Sequence, residues 1–284
     1  MPEKTPVVLS IAGFDPSSGA GITADIKTIA AHACYGVACI TAMTVQSTSG
    51  VRRMVPEDPA LVTETLQELA ADLDIAAVRI GMLGSAKVAK AVADFLSERT
   101  GKERLSNVVL DPILKSSSGT DLLDSPGTRV LIERLIPLAD VITPNVDEAG
   151  VLTGIKVKEL DDMKTAAAKL HEMGARAVVV TGGHLDKAMD LLSFQTKRGV
   201  EQEIFKAERQ RSNSTHGTGC AFATAMACHL AQERGLAEAT LLAKTYVTAA
   251  ISNGQTLGHG TGPVHHLYRM NQQRRAAGSG SAES

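Results

Sequence analysis

Short apolar segments alternate with longer segments of helical periodicity along almost the entire chain. Six of the short segments are rich in Val, Ile, Leu and Ala and are bounded by Gly, Pro, Asp or Asn; they are VVLSIAG, VACITAMTV, AAVRIGML, NVVLDPIL, DVITPN and ARAVVVTGG. Continuous apolar runs of this length are typical of strands that are buried on both faces. We therefore predict a mostly parallel sheet that contains these six strands.

Helix signals lie between the apolar segments. Asp58 followed by Pro59 is typical of an N-cap and the first helical residue. The apolar face of this helix is predicted to contain Val62, Leu66, Leu69 and Leu73. A second helix is predicted with Asp161 as its cap and Gly174 at its end. Its apolar face would contain Met163, Ala166, Ala167 and Leu170.

The alternation of strands and helices predicts an α/β fold with helices on both faces of the sheet. Ligands of such sheets bind beyond the carboxyl ends of the strands, and the loops there contain many of this sequence's glycines and polar residues. The pattern contains no linker and no repeat, so we predict one domain over residues 1–270. Residues 271–284 are predicted to form a solvated, disordered tail.

Composition narrows the range of functions. The 284 residues include 44% hydrophobic and 21% charged residues, with a net charge of −2, 3% aromatic residues and no Trp. This balance argues against nucleic acid or an anionic membrane as a partner. The four cysteines form no C-x-x-C pair, and neither a signal peptide nor a membrane-spanning apolar run is visible. We expect a cytoplasmic protein without a disulfide framework.

The first loop, GFDPSSGAGITAD, contains a stretch that satisfies the loose dinucleotide pattern G-x-G-x-x-G/A. A nicotinamide or flavin site also requires an acid near the end of the second strand, where this chain has Thr44, Val45 and Gln46. A simple tight connection between strand and helix explains the glycines better. A Walker P-loop is absent as well, because no G-K-[ST] follows any glycine-rich stretch.

Two further loops contain polar residues that follow predicted strands. Asp111 ends one strand, and Asn145 stands three residues before Glu148 at the start of a predicted helix. The structural interpretation is that Asn145 caps this helix and Glu148 completes a capping box. The functional interpretation is that these oxygens lie near Mg²⁺, which takes few protein ligands and keeps several waters. Both interpretations remain open from the residues alone.

The stretch HGTGCAFATAMACHLA places Gly217, Thr218 and Gly219 before a cysteine at a helix start. Backbone N–H groups at such a start form an anion-binding array, which suits charge that develops in a transition state. The field of the helix should favour the Cys220 thiolate and make Cys220 a candidate base. The alternative is that Cys220 is only a small buried hydrophobic residue.

Eight motifs occur in one order over residues 7–268: SIAGFDPSSGAGITADIKT, VQSTSGV, IGMLGS, LDPILKSSSG, ITPNVDEA, VTGGHL, STHGTGC and LGHGTGPVHH. In this order they closely resemble the hydroxymethylpyrimidine/phosphomethylpyrimidine kinases of thiamine biosynthesis, in the ribokinase superfamily. The resemblance implies a three-layer α/β/α kinase that uses ATP and Mg²⁺. Its substrate would be 4-amino-5-hydroxymethyl-2-methylpyrimidine, followed by the monophosphate of that compound.

The resemblance also implies roles for individual residues. The pyrimidine pocket would be lined by Gly13, Ala20, Asp25, Gln46 and Met82. The anion hole and the base would be Gly217, Thr218, Gly219 and Cys220. The nucleotide side would include Asp111, Lys115, Ser117, Thr143, Asn145, Thr181 and Gly183. The metal would be bound by Asp111 and Glu148.

Two positions on the nucleotide side depart from the family pattern. Ser117 and Thr181 stand where lysines are common, and Lys115 is a candidate substitute for the first of them. Weaker phosphate neutralisation, a different ATP affinity or altered selectivity between the two kinase steps could follow. The rival functions are a pyridoxal or pyridoxine kinase and a pyrimidine-binding regulator that has lost catalysis. Dimers are common in the resembled family, so we expect a homodimer.

Overall fold

The structure is a computed structural model that describes residues 4–99, 101, 104–116, 118–183, 188–208 and 212–270. Within these residues, nine strands form one sheet in the order β3-β2-β1-β4-β5-β6-β7-β8-β9. The strands are β1 (Val7–Phe14), β2 (Tyr35–Ser47), β3 (Gly50–Pro56), β4 (Ile75–Ile80), β5 (Val108–Leu110), β6 (Val141–Ile142), β7 (Ala177–Gly182), β8 (Met189–Thr196) and β9 (Gly199–Lys206).

The six predicted apolar segments are confirmed as β1, β2, β4, β5, β6 and β7, which pair in parallel. Their alternate side chains belong to different cores. In β1, Leu9 packs into one hydrophobic core and Val8 into the other. In β7, Val178 and Val180 belong to the first core and Val179 to the second. Successive side chains of a strand point to opposite faces of the sheet, so a strand that is buried on both faces requires apolar residues at every position. This explains the continuous apolar runs.

Helices cover both faces of the sheet. They are α1 (Gly21–Ala31), α2 (Pro59–Asp72), α3 (Ala86–Glu98), α4 (Ser125–Val130), α5 (Ile136–Leu138), α6 (Val146–Thr153), α7 (Leu160–Glu172), α8 (Thr218–Ala231) and α9 (Leu236–Ser252). A π-helical turn, Leu131–Leu135, joins α4 to α5. One core contains side chains of α2, α3, α6 and α7, and the other contains side chains of α1, α8 and α9. The three-layer α/β/α arrangement is thus confirmed.

Three strands were not predicted. β3, β8 and β9 all pair in antiparallel fashion at the two sides of the sheet. β9 is exposed along nearly its whole length, and β3 alternates between half-buried and exposed residues. Edge strands need no continuous apolar run because one or both faces remain in solvent. Their polar sequences, GVRRMVP and GVEQEIFK, therefore gave no signal of buried strands.

The predicted start of α2 is confirmed: Asp58 is the N-cap, and its side chain accepts the N–H of Ala60 at 2.9 Å. The predicted cap of α7 is wrong. The N-cap is Glu159, two residues before Asp161, because Asp162 at the third helical position accepts the N–H groups of Lys158 and Glu159. The apolar face of α7 is buried as predicted, with Met163, Ala166, Ala167 and Leu170 each at 0% exposure.

Within the same described ranges, no helix combines the length and the hydropathy that crossing a membrane requires.

Candidate active site

The starts of α1 and α8 meet at the carboxyl edge of the parallel strands. Gly217 is the N-cap of α8 and has a φ of 80°, a left-handed conformation that glycine adopts without strain. A Cβ atom at this position would stand 1.9 Å from the carbonyl oxygen of Gly19. The loop that follows β1 therefore packs directly on the start of α8, and only a glycine at position 217 permits this contact.

The start of α8 has the backbone N–H groups that the predicted anion-binding site requires. α8 begins at Thr218, and the N–H of Thr218 donates to the carbonyl of Thr215 at 3.3 Å. The first turn of a helix leaves its N–H groups without intrahelical acceptors, so those of Gly219 and Cys220 are available to an anion. The Cys220 sulfur also accepts the N–H of Gly21 at the start of α1. Two helix starts therefore converge on this thiol.

Burial decides the protonation of Cys220. Its side chain is 8% exposed, and burial raises the pKa of the thiol to about 11, against the opposing charge of Arg79. The carboxylates of Asp111 and Asp25 raise it further. The expectation that the helix field favours the thiolate is wrong, because desolvation outweighs the field. Cys220 is a thiol at neutral pH.

Arg79 is a central residue that the sequence analysis missed. It lies in β4 at 0% exposure, and its guanidinium donates to Asp25 at 3.0 Å and to Asp111 at 2.7 Å. Burial alone would lower the pKa of Arg79, but the charges of Asp25 and Asp111 raise it overall, so Arg79 remains cationic. A Cβ atom at Gly81 would stand 1.9 Å from Nη1, so this glycine provides the space for the guanidinium.

The structure differs from expectation at Asp25. The side chain is 0% exposed, and its carboxylate accepts hydrogen bonds from Ser10 at 2.6 Å, Thr224 at 2.7 Å and Arg79. These partners saturate the buried carboxylate. Asp25 therefore anchors Arg79 and the start of α1 in this structure and does not line a pocket as the resemblance implied.

Of the other predicted pyrimidine residues, Gly13 and Met82 are buried, and Ala20 and Gln46 are half-buried. Met82 follows β4 and is 8% exposed. A Cβ atom added to Gly13 would stand 1.9 Å from the terminal methyl group of Met82, so only glycine fits beside it. Ala20 caps α1, and its N–H donates to Asp15 at 2.9 Å. Gln46 is half-buried near the end of β2, within 3.2 Å of His216. Gly13 and Met82 are thus in contact, and Gln46 lies beside the residue that precedes Gly217.

Asp15 and His216 form a second pair that the sequence analysis missed. Nε2 of His216 lies 2.9 Å from Oδ2 of Asp15, and the two side chains are 12% and 4% exposed. The Asp15 carboxylate also accepts the N–H groups of Ser17, Gly19 and Ala20. Burial opposes ionisation, but the hydrogen bonds from His216, Ser17 and Ala20 outweigh it and lower the pKa of Asp15. Asp15 is therefore an anion that holds the first loop against the start of α8.

The predicted capping box on α6 is confirmed. Oδ1 of Asn145 accepts the N–H groups of Asp147 and Glu148 at 2.9 Å each, and Oε2 of Glu148 accepts the N–H of Asn145 at 3.0 Å. The structural role does not exclude a functional one, because a carboxylate has more lone pairs than the N–H groups of Asn145 and Leu114 use.

Asp111 and Glu148 form a carboxylate pair that interacts electrostatically. Burial raises the pKa of Asp111 to about 6 despite Arg79, and burial together with the charge of Asp111 raises the pKa of Glu148 to about 8. At neutral pH Glu148 is therefore mostly protonated, and a bound cation would favour its ionised form; carboxylate oxygens fit Mg²⁺. In the part of the chain that the structure describes, no group of three His, Cys, Asp or Glu side chains could hold a metal. Waters and phosphate oxygens would therefore supply the remaining ligands.

The other predicted nucleotide residues differ in their surroundings. Thr143 is 4% exposed, and its N–H donates to the carbonyl of Leu110 at 2.9 Å. Thr181 pairs with Asn145 as an isolated parallel bridge, and Gly183 is exposed just beyond β7. Lys115 is largely exposed, with Nζ at 3.4 Å from Asp121. Ser117 lies outside the described residues.

The fold and the site together define an α/β small-molecule kinase of ribokinase-like architecture: a helix start that can bind an anion opens beside paired carboxylates at the carboxyl edge of a parallel sheet. The chain belongs to the phosphomethylpyrimidine kinase family, whose model matches residues 15–265.

Relatives and solved structures agree with this assignment. The chain is 39% identical to the hydroxymethylpyrimidine/phosphomethylpyrimidine kinase of Aquifex aeolicus, over 89% of this chain and 97% of that protein. It is 43% identical over 92% of its length to the thiamine biosynthesis bifunctional protein ThiED of Geobacter sulfurreducens, of which it spans about half, 52%. A crystal structure of Bacillus subtilis pyridoxal kinase with ADP matches with a TM-score of 0.84 and 33% identity, covering 94% of this chain and all of that one.

Proposed function

We propose that the protein transfers the terminal phosphoryl group of ATP to the hydroxymethyl group of 4-amino-5-hydroxymethyl-2-methylpyrimidine, and then to the resulting monophosphate. The observation that carries this proposal is the position of Cys220, between the start of α8 and the buried Arg79–Asp111 pair. The names of the family and of its relatives support the choice of pyrimidine and of the two acceptors.

In this proposal the protein acts mainly by positioning its two substrates and by stabilising charge, because phosphoryl transfer needs little covalent chemistry from the protein. The N–H groups of Gly219 and Cys220 would stabilise the charge on the transferred group. The Cys220 sulfur would act as a thiolate, which accepts the proton of the attacking alcohol. Because the charge of Asp111 contributes to the raised pKa of Cys220, compensation of that charge by a bound cation would bring the pKa of the thiol closer to neutral.

Asp111 and Glu148 would hold Mg²⁺, which supplies charge neutralisation between the phosphates of the nucleotide. Thr143, Asn145, Thr181 and Gly183 would line the nucleotide side. Lys115 would have to leave Asp121 to reach a phosphate, at little cost because a pair this exposed contributes little. Gly13, Ala20, Gln46 and Met82 would contact the pyrimidine.

Product analysis tests the reaction. ATP and the hydroxymethylpyrimidine are supplied together, and mass spectrometry follows the monophosphate and the diphosphate. We expect both products to form in sequence. Formation of only the monophosphate would restrict the proposal to the first step, and pyrimidine binding without ADP release would favour the regulator.

Substitution of Cys220 tests its role as the base. Cys220→Ala should lower kcat by roughly 10²-fold or more and leave the KM for the pyrimidine within about threefold. Cys228→Ala is the matched control, because Cys228 is buried on the same helix two turns later and outside the cleft. Near-normal turnover by Cys220→Ala would remove the base assignment.

A pyridoxal or pyridoxine kinase is the second candidate function. The specific observation is the similarity to Bacillus subtilis pyridoxal kinase and to the Staphylococcus aureus pyridoxal kinase with AMP-PCP and pyridoxal, the latter with a TM-score of 0.79 and 31% identity. The two functions separate in a competition assay with equal concentrations of both alcohols. Exclusive turnover of pyridoxal would overturn the pyrimidine proposal.

We further propose that residues 1–270 form a single kinase domain and that the protein is a cytoplasmic homodimer. Limited proteolysis tests the domain, since a single protected fragment is expected. Light scattering tests the dimer, and a mass of one chain at assay concentration would contradict it. The predicted tail, residues 271–284, lies outside the described residues.

A further inference from the structure

A continuous chain of polar contacts passes from the first loop to the end of β2. Nε2 of His216 lies 2.9 Å from Oδ2 of Asp15 and 3.2 Å from Nε2 of Gln46. Oε1 of Gln46 lies 3.2 Å from the hydroxyl of Thr44, and the same hydroxyl donates to the carbonyl of Phe14 at 2.9 Å. The first and last residues of this chain, Phe14 and Asp15, are neighbours in sequence, so the contacts form a closed ring.

The donors and acceptors of this ring fix its protonation. Asp15 is ionised, as its lowered pKa and its N–H donors indicate, so Nε2 of His216 must carry a proton that points at it. In the structure the NH₂ group of Gln46 faces His216 and its oxygen faces Thr44, so two donors meet at His216 and the one Thr44 proton would have to serve two acceptors. We assign the amide the opposite way. Its oxygen then shares the Nε2–H of His216 with Asp15, and its NH₂ group donates to Thr44, whose own proton goes to Phe14.

We propose that Asp15 and His216 are positioning residues that lock the Gln46 carboxamide in this orientation and thereby set the preference for an aminopyrimidine alcohol over a pyridine alcohol. The inference rests on the proposed function, in which Gln46 contacts the ring of the substrate.

The chemistry of the two rings explains the preference. The locked carboxamide presents its second N–H and the remaining lone pair of its oxygen to the cleft. The edge of a 4-aminopyrimidine offers a ring nitrogen that accepts and an amino group that donates, so it matches both. The corresponding edge of pyridoxal has an aldehyde oxygen beside a phenolic oxygen and lacks this pairing. A site built to hydrogen-bond one edge rejects a ring that leaves its groups unpaired, provided that the site cannot reorient.

The rest of the ring supports a rigid site. Gly19 packs against His216 so closely that a Cβ atom would stand 2.3 Å from its ring. The backbone N–H of His216 donates to the carbonyl of Gly262, and its carbonyl accepts the N–H of Val264. The backbone of His216 is therefore fixed, and Gly19 limits the movement of the imidazole on one side.

The experiment measures kcat/KM for the aminopyrimidine alcohol and for pyridoxal, with saturating ATP and Mg²⁺, in the wild type and three variants. His216→Phe keeps the ring and removes the N–H. His216→Gln restores a donor directed at Asp15. His171→Phe is the matched control, because His171 on α7 contacts Ala175 and Ser193 and lies outside the cleft.

We expect the pyrimidine-to-pyridoxal ratio of kcat/KM to fall at least tenfold in His216→Phe, mainly through a higher KM for the pyrimidine. His216→Gln should recover most of the ratio, and His171→Phe should keep the wild-type value. Asp15→Asn removes the carboxylate that accepts the N–H of His216, so it should also lower the ratio. It replaces His216→Phe in the experiment if that variant fails to fold. The proposal is overturned if the ratio stays at the wild-type value or if both substrates lose activity equally. Absence of pyrimidine turnover in the wild type would instead refute the proposed function.

Discussion

Two of the buried polar clusters among the described residues respond to burial in opposite ways. At the carboxyl edge of the sheet, Arg79 keeps its charge between Asp25 and Asp111. In the core beneath α1, α8 and α9, the ring of His32 packs 4.9 Å from that of His229 and 4.5 Å from that of Tyr246. Burial lowers the pKa of His32 to about 4, so this cluster is neutral at physiological pH.

The difference shows where the fold tolerates the cost of charge. Ions buried without a partner cost several kcal/mol, and even paired ions rarely stabilise a protein more than apolar residues of the same volume. The imidazoles avoid this cost by losing their protons. The Arg79 cluster retains its ions at the one edge where phosphates and a cation are expected, which points to selection for function at that site.

The largest expected effect is on the charged cluster. Arg79→Met leaves Asp25 and Asp111 facing each other without a cation, so we expect a loss of about 3–5 kcal/mol in the free energy of unfolding. We also expect kinase activity at least roughly 10²-fold lower, because Asp111 loses its fixed position. Urea unfolding and steady-state kinetics measure the two effects. Arg79→Lys should retain part of both, and equal losses in Lys and Met would show that the shape of Arg79 matters more than its charge.

The neutral cluster should make stability depend on pH. An unfolded histidine titrates near pH 6.5, whereas folded His32 and His266 titrate at about 4. Between these values the unfolded chain binds more protons, so stability falls as the pH falls from about 6.5 to about 4. The maximum loss is about 3 kcal/mol for each histidine. Urea unfolding from pH 7 to pH 4.5 measures it, and His32→Phe should flatten the profile; an unchanged profile would show that His32 is protonated in the fold.

A smaller change tests whether the space beside Arg79 is essential. The Cβ atom of Gly81→Ala would overlap Nη1, so the guanidinium must shift away from Asp25. We expect about 1–3 kcal/mol of destabilisation and a lower kcat. The matched control is Gly235→Ala, since nothing lies within 4 Å of a Cβ atom there. If both variants behave alike, the arginine adapts at no cost.

The smallest effect belongs to an exposed arginine. Arg104 pairs with Asp140 at 2.7 Å, but the two side chains are 45% and 28% exposed. Solvent screens such a pair, so Arg104→Met should change the free energy of unfolding by less than about 1 kcal/mol. A loss as large as that of Arg79→Met would mean that burial does not separate the two pairs.

The sequence predicts the parallel part of the fold because each of its strands carries its own signal. β7 is recognisable from ARAVVVTGG alone, whereas β3 and β9 are stabilised by pairing with neighbours and not by apolar runs. The cap of α7 was misplaced by two residues because Asp161 and Asp162 are both suitable carboxylates, and only the observed hydrogen bonds decide between them.

The candidate site is only partly visible in the sequence. Helix starts and capping boxes are local, so the start of α8 and the Asn145–Glu148 pair were predicted. The partners of Arg79 are 54 and 32 residues away, and His216 is 201 residues from Asp15. Arg79 stands inside an apolar run, where no spacing rule marks its role. The raised pKa of Cys220 likewise depends on burial by distant elements.

The contact between Gly19 and Gly217 has a consequence for engineering this protein. Since the carbonyl of one residue occupies the place where the other would carry its first side-chain atom, even alanine at position 217 would displace the segment opposite. In the proposed function the first loop contacts the pyrimidine and the start of α8 contacts the transferred phosphoryl group, so one substitution there would disturb both contacts. A redesign of substrate selectivity should therefore vary the first loop and the start of α8 together in one set of variants.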